Sequence, residues 1–315
     1  MTCTIDWNVL NFSEWEQRFK QISRSTLLQS YAYARAACRV HRQKARWGLI
    51  SREGHEAGLV QMLEAGLLGN TLHVVMIDRG PLWFDGYGKP ADFQAFAREF
   101  SRQFPPRPGR LRRFIPEIPA DENTENIIRE QRFKRKNIPG YQTIWLDLRQ
   151  DEDALLKDLD PKWRGKLRKA QKKNLQIDWD ENGRHFSWLL DVYARDKKQR
   201  NYDGPSVELL KALAQSFGPE KNMLIGRTMM DNKPCAAILV LCHGASATYQ
   251  IGWASLEGRD NAAHSLLLWQ VLGLLKAKGI KDFDLGGVND GSASGVKQFK
   301  QGMGGALVSL PGLYT

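Results

Sequence analysis

The chain has 315 residues, 42% hydrophobic and 26% charged, with a formal net charge of +11 at pH 7. These proportions exclude a disordered or fibrous chain, and the length exceeds the about 100–200 residues of one ordinary domain, so two domains are expected. The positive excess is more than solubility needs and points to a polyanionic partner: RNA, a nucleotide-linked substrate or an anionic membrane surface.

Early in the chain, helical spacing runs from Phe12 to Gln21 and from Ser30 to Arg39, followed by strand-like runs Ala45 to Ile50, Leu59 to Glu64 and Thr71 to Ile77. Gly/Pro punctuation at Arg79-Gly80-Pro81 and Gly86 to Pro90 closes this set, and Ala91 to Phe104 returns to helical spacing. Strands are predicted at Leu111 to Ile115 and Tyr141 to Leu148, the latter near the midpoint, so the expected domains are residues 1–147 and 148–315.

Asp151 to Asp160 places acids where a helix begins, and Pro161 interrupts it. From Lys162 to Lys173 there are seven Lys/Arg and no acid. Coiled as a helix, the segment sets Lys162, Arg164, Lys166, Arg168, Lys169, Lys172 and Lys173 around a narrow apolar line of Trp163, Leu167 and Ala170. It reads either as a solvated surface or as a face for RNA phosphates, whose binding would relieve the repulsion among these cations. Trp163 is expected to be a core anchor.

Helices follow at Phe186 to Lys198 and Ser206 to Phe217, then strands Met223 to Met230, Ala236 to His243 and Ala247 to Ala254, joined as antiparallel hairpins by the Asp231-Asn232-Lys233 and His243-Gly244-Ala245 turns. A helix from Asn261 to Lys278, ended by Gly279, feeds the strand Ile280 to Leu285 in a βαβ-like crossover. The order of elements in the two halves is similar. The fold class expected is α/β with mixed sheets.

No apolar run approaches the roughly 18 residues that span a bilayer. Asp6, Glu14 and Glu16 occupy positions that a signal peptide would keep apolar, and a cytoplasmic location is expected. Cys3, Cys38, Cys235 and Cys242 form no CxxC pair and are expected to be reduced; the six histidines show no ligand spacing, so no metal is expected.

The strand Ile280 to Leu285 runs into Gly286-Gly287, a DGSASG loop, and GVKQFKQGMGG with Lys297 and Lys300. Glycines at a strand end admit a ligand close to the backbone, and a lysine beside them can meet a phosphate or a developing oxyanion. A surface loop with solvated lysines is the competing reading.

DLGG followed by GVKQFKQGMGG resembles the C-terminal signature of the Fem family, aminoacyl-tRNA-dependent peptidyl transferases within the GNAT-like acyltransferase superfamily. Matching stretches occur in order along nearly the whole chain: LLQSYAYARA (Leu27 to Ala36), DRGPL (Asp78 to Leu82), Leu146 to Ile177, ATYQIGWAS and NAAHSLLLWQVLGLLKAKG. The resemblance implies two tandem GNAT-like acyltransferase domains, the second carrying the basic helix and the catalytic segment. It also implies transfer of an aminoacyl group from aminoacyl-tRNA to an amine on a peptidoglycan-precursor-like peptide or small metabolite, without a cofactor. Carried onto this sequence, Lys300 stabilises the tetrahedral intermediate with Lys297 and the strand-end glycines Gly286 and Gly287 as neighbours. Tyr249 lines the cleft, and Arg200 and Tyr202 lie near a substrate-phosphate contact. Asp284 reads either as a base for the amine proton or as a buried partner for a backbone or lysine group, with the substrates moving the proton themselves. The family's phosphate-binding lysine on the LQS helix is replaced by Ala37, leaving Arg35 or Arg39 to substitute. Arg164, Lys166, Arg168, Lys169, Lys172 and Lys173 are the expected tRNA contacts.

Two alternatives stand beside this. A CoA-dependent N-acyltransferase would cradle pyrophosphate in a glycine-rich loop, but the corresponding segment, Ser255 to Asp260, has one glycine and two acids. A non-catalytic RNA-binding or membrane-peripheral protein would use the basic patches alone.

Overall fold

Two mixed sheets organise the chain in the computed structural model, which describes residues 2–173, 175–288 and 294–315. The chain divides into two units, Met1–Gln142 with Val308–Thr315, and Thr143–Leu307.

In the first unit the elements are β1 (Cys3–Trp7), α1 (Phe12–Phe19), a 3-10 turn (Leu27–Gln29), α2 (Tyr31–His41), β2 (Lys44–Arg52), β3 (His55–Leu67), β4 (Leu72–Gly80), β5 (Leu82–Trp83), α3 (Pro90–Gln103), β6 (Arg110–Pro116) and α4 (Glu122–Glu130). The sheet order is β1-β2-β3-β4-β6, with β5 paired to β3. All neighbours are antiparallel except β4 and β6, which are joined in parallel through α3. That helix begins with Pro90 at its first turn, where the missing N–H costs nothing, and sets Phe93, Phe96, Ala97 and Phe100 on one buried stripe. The stripe packs with Val75, Ile77 and Phe114 of the sheet, and each buried phenylalanine contributes on the order of 1.5–3 kcal/mol. The chain's end closes this unit: Tyr314 and Phe114 exchange backbone hydrogen bonds of 2.9 Å.

The second unit contains, apart from Gln142 and residues 308–309 at the ends of two strands, β7 (Gln142–Asp147), α5 (Glu152–Asp158), α6 (Pro161–Gln171), β8 (Gln176–Asp180), α7 (Phe186–Arg200), α8 (Val207–Phe217), β9 (Met223–Met230), β10 (Lys233–His243), β11 (Ser246–Ala254), α9 (Leu256–Asp260), α10 (Ala263–Ala277), β12 (Asp282–Gly287), α11 (Ser294–Gln301) and β13 (Ala306–Ser309). Its sheet runs β13-β7-β12-β11-β10-β9-β8. The two expected hairpins are present, and β11 and β12 are parallel, joined through α10, so the crossover read from the sequence is formed. A hairpin of antiparallel strands followed by a parallel strand–helix–strand crossover therefore occurs in both units.

Some elements differ from the sequence reading. The helix expected from Asn261 starts instead at Ala263, because Ala262 adopts a left-handed conformation with φ of 53° and separates α10 from the short α9. The strands β1 and β8, the helix α4 and the helix α11 were not anticipated. The short strands have too few alternating apolar residues to declare themselves, and α11 begins in a Gly/Ser-rich stretch. Most of the DGSASG loop lies outside the described residues.

Candidate active site

β12 runs between β11 and β7, and its polar side chains are held inside the sheet. Asp284 is 1% exposed; its carboxylate accepts from the Thr143 hydroxyl and, at 2.8 Å, from the Gly286 N–H. These bonds accompany a bulge between Asp284 and Gly287, after which the strand pairs with Thr143. Gly286 has φ of 74°, and a β-carbon there would lie 3.1 Å from the Tyr249 carbonyl oxygen, so the turn needs glycine.

The helix α11 brings Lys300 back to this turn. The residue is 8% exposed, and its ammonium donates to the Gly287 carbonyl at 2.9 Å and lies 5.6 Å from the Tyr249 ring centre, over the negative face of the aromatic π-system. Lys297 is one helical turn earlier and partly buried. Phe299 fixes the helix between Trp163 of α6 and His264 of α10, with ring centres 5.9 and 5.7 Å away.

Tyr249 and His264 form a pair that sequence reading missed. The Tyr249 hydroxyl is 2.9 Å from His264 Nε2, while the imidazole also bonds to the Trp253 carbonyl. With the ring proton on Nδ1, Nε2 receives the tyrosine O–H. Burial, reinforced by the Lys300 and Arg259 cations, pushes the imidazole down to about 4 despite the Trp253 bond. Burial drives the Tyr249 phenol upward, so it stays protonated. Gly252 makes room for the pair: a β-carbon there would stand 1.9 Å from the Tyr249 hydroxyl.

This imidazole has a measurable consequence. Its ordinary value of 6.5 applies to the unfolded chain and about 4 to the folded one. As pH falls through that interval the unfolded chain takes up a proton that the folded chain refuses. Stability therefore drops from the upper to the lower value, by up to about 3 kcal/mol, and this contribution is constant outside the interval. His264→Gln keeps an acceptor for Tyr249 without the titration, and denaturation midpoints measured between the two limits should lose this part of their pH dependence.

A second cluster centres on Asp196 of α7, another residue missed from sequence. Its carboxylate pairs with Arg200 at 2.9 Å and Arg259 at 3.8 Å and bonds to the Tyr202 hydroxyl. The i,i+4 spacing of Asp196 and Arg200 is the one signal the sequence carried. Tyr202 is close enough to Tyr249 to affect its ionisation. Of the candidate site residues, Lys300, Gly286, Gly287 and Tyr249 meet at one place, and Arg200 and Tyr202 lie beside Asp196 in the same unit. Arg35 projects from α2 of the first unit and is exposed.

On α6, Asp160 caps the first turn from Lys162 and Trp163, and Trp163, Leu167 and Ala170 are buried against the core that includes α10. The opposite face is cationic. Lys166, Arg168, Lys169, Lys172 and Lys173 are exposed and Arg164 is partly exposed. Lys169 donates to the Asp260 carbonyl at 2.7 Å.

The segment Ser255 to Asp260 is a capped helical turn rather than an open loop: the Ser255 hydroxyl accepts from the Gly258 N–H at 3.0 Å. Its one glycine is committed to packing, since a β-carbon on Gly258 would lie 2.0 Å from the Cys235 carbonyl oxygen. The start of α10 is also enclosed, with its cap residue Ala262 and the helical Ala263 and Ser265 buried. Among the described residues no cluster of His, Cys, Asp and Glu could hold a metal ion, and no helix is long and apolar enough to cross a membrane.

Residues 161–301 match the family described as an acetyltransferase (GNAT) domain. The whole fold is similar to the crystal structure of FemX, with a TM-score of 0.79 at 15% identity over 98% of this chain and 96% of that one. A tandem GNAT protein from the clavulanic acid biosynthesis pathway superposes with a TM-score of 0.53 at 12% identity, covering 98% of this chain and 97% of the other. The C-terminal domain of a putative lysylphosphatidylglycerol synthetase from Agrobacterium fabrum gives 0.51 at 14% identity, over 95% and 90%. No curated protein sequence matches the chain.

The segment 161–301 thus matches a GNAT acetyltransferase domain, and the crossover repeated in the two units gives the chain the fold of tandem GNAT proteins. In fold, the chain is similar to FemX.

Proposed function

We propose that the protein transfers an aminoacyl group from aminoacyl-tRNA to an amine acceptor, a peptidoglycan-precursor-like peptide or small metabolite. The observation that carries this reading is the exposed cationic face of α6 in the unit that also holds Lys300, Tyr249 and His264. Cations gathered on one helical face suit a phosphate backbone. The likeness to a putative lysylphosphatidylglycerol synthetase, whose name specifies an attached amino acid, supports an aminoacyl cargo. Use of a tRNA donor requires the cytoplasm.

The reaction needs no covalent enzyme intermediate. The acceptor amine attacks the ester carbonyl, the carbonyl electron pair moves to oxygen, and collapse breaks the ester C–O bond as the amine proton passes to the departing ribose oxygen. The protein orients the two reactants and stabilises the oxyanion, a role that suits Lys300. Tyr249, with its own proton committed to His264, can accept a hydrogen bond from the attacking amine. Asp284 is engaged by Thr143 and Gly286, which favours a structural role and proton transfer within the substrates themselves.

Transfer from acyl-CoA is the second reading, favoured by the acetyltransferase domain match. Against it stand the closed turn at Ser255 to Asp260 and the use of Gly258 in packing. The purified protein should transfer radiolabel from aminoacyl-tRNA to a panel of amines and lose that activity on RNase treatment. RNase-insensitive transfer from acyl-CoA would establish the second reading instead, and RNA binding without transfer to any amine would make the protein a binding module.

A further inference from the structure

The β3–β4 turn of the first unit carries an apolar tip that the transfer reaction does not use. Leu67, Leu68, Leu72 and Leu111 are 67, 80, 51 and 52% exposed. Single exposed leucines are ordinary, but these four are neighbours. Leu67 pairs with Leu72 across the hairpin, and Leu111 of β6 pairs with Val74, two residues further along β4. Leu67, Leu72, Val74 and Leu111 therefore share one face of the sheet at its end, with Leu68 at the tip.

The turn is also unusual in its backbone. Leu68, Gly69 and Asn70 have consecutive φ values of 50, 63 and 67°. Glycine and asparagine occupy this left-handed region readily, whereas leucine is disfavoured there. A polar turn residue would suit the fold better than the leucine found at the most exposed position.

Cations surround the tip. β2 begins at this end of the sheet, with Lys44 opposite Glu64, and β6 begins here too, with Arg110 opposite His73. Arg42 and Lys44 are exposed and Arg110 is partly exposed. Arg107 clasps the turn by donating to the Asn70 and Thr71 carbonyls. Residues 39–46, 65–74 and 104–113 contain no acid. The nearby Glu64 is already paired with Arg46 at 2.8 Å and His73 at 3.1 Å.

We propose that this turn is a membrane-docking wedge. Leu67, Leu68 and Leu72 enter the acyl boundary of an anionic bilayer, while Arg42, Lys44, Arg107 and Arg110 meet the lipid phosphates. Leucines at a projecting tip with a cationic surround match the layering of a bilayer surface, where apolar chains lie beneath anionic headgroups. A stable protein partner would need about 800 Å² on this side, more than four leucines at a turn supply. The inference is independent of the donor used in the transfer reaction.

Co-sedimentation with vesicles tests it. The protein should bind vesicles of mixed phosphatidylcholine and phosphatidylglycerol, bind phosphatidylcholine vesicles far less, and be released by salt. Leu68→Asn should reduce the partition coefficient about tenfold while the melting temperature stays equal or rises, because asparagine relieves the left-handed leucine. Arg42→Gly with Lys44→Ser should weaken binding about fivefold per charge and reduce the salt sensitivity. Absence of binding to the mixed vesicles, or equal binding by Leu68→Asn, overturns the proposal. So does a concentration-dependent dimer in light scattering that Leu68→Asn abolishes, which would make the tip an interface between copies.

Discussion

Lys300→Ala is expected to lower kcat about 10²- to 10³-fold while KM for the aminoacyl donor changes little, the loss seen when one oxyanion-stabilising donor is removed. The ammonium is held by the Gly287 carbonyl and the Tyr249 ring, so its position is set before substrate arrives. A preorganised cation at a largely enclosed site interacts strongly with charge that develops only in the transition state. A second readout follows from His264, whose imidazole is held down partly by this cation. In Lys300→Ala its titration, followed by NMR, should move up toward the ordinary value. Equal turnover in the variant would remove Lys300 from the reaction, and a raised KM with unchanged kcat would make it a binding residue.

Replacing Lys166, Lys172 and Lys173 together with serine should weaken binding of tRNA and reduce the slope of log K against log salt by about 2–3, as expected for three lost phosphate contacts. Lys169 is retained because its ammonium holds the Asp260 carbonyl and its loss would disturb the α6–α9 packing. All three replaced side chains are exposed, so the melting temperature should be preserved. Transfer at saturating donor should also persist. An unchanged salt slope would make the face a solvated surface, and the tRNA reading would lose its main support.

The legible part of the site was the part written in local sequence. The cationic face of α6 follows from helical periodicity, and its apolar line of Trp163, Leu167 and Ala170 is buried as expected. Gly286, Gly287 and Lys300 were legible as glycines at a strand end with a lysine nearby, and the resemblance to the Fem C-terminal signature gave Lys300 its role. His264 did not stand out: within an apolar helix it is one polar residue among many leucines, and only packing sets it against Tyr249. Asp196 was hidden for a similar reason. Two of its partners, Tyr202 and Arg259, come from beyond its helix, and pairing over such separations has no local signature.

By itself, the sequence determined the alternation of elements, the two hairpins, the strand–helix–strand crossover and the basic helix, because each depends on periodicity and turn chemistry within a short stretch. Tertiary structure decided what depends on distant residues meeting. It returned residues 308–315 to the first unit and broke the helix at Ala262. It also committed Gly258 to the Cys235 carbonyl and placed Lys300 over Tyr249. Those outcomes are set by close packing and by the need of buried polar groups for partners, and both are properties of the folded chain as a whole.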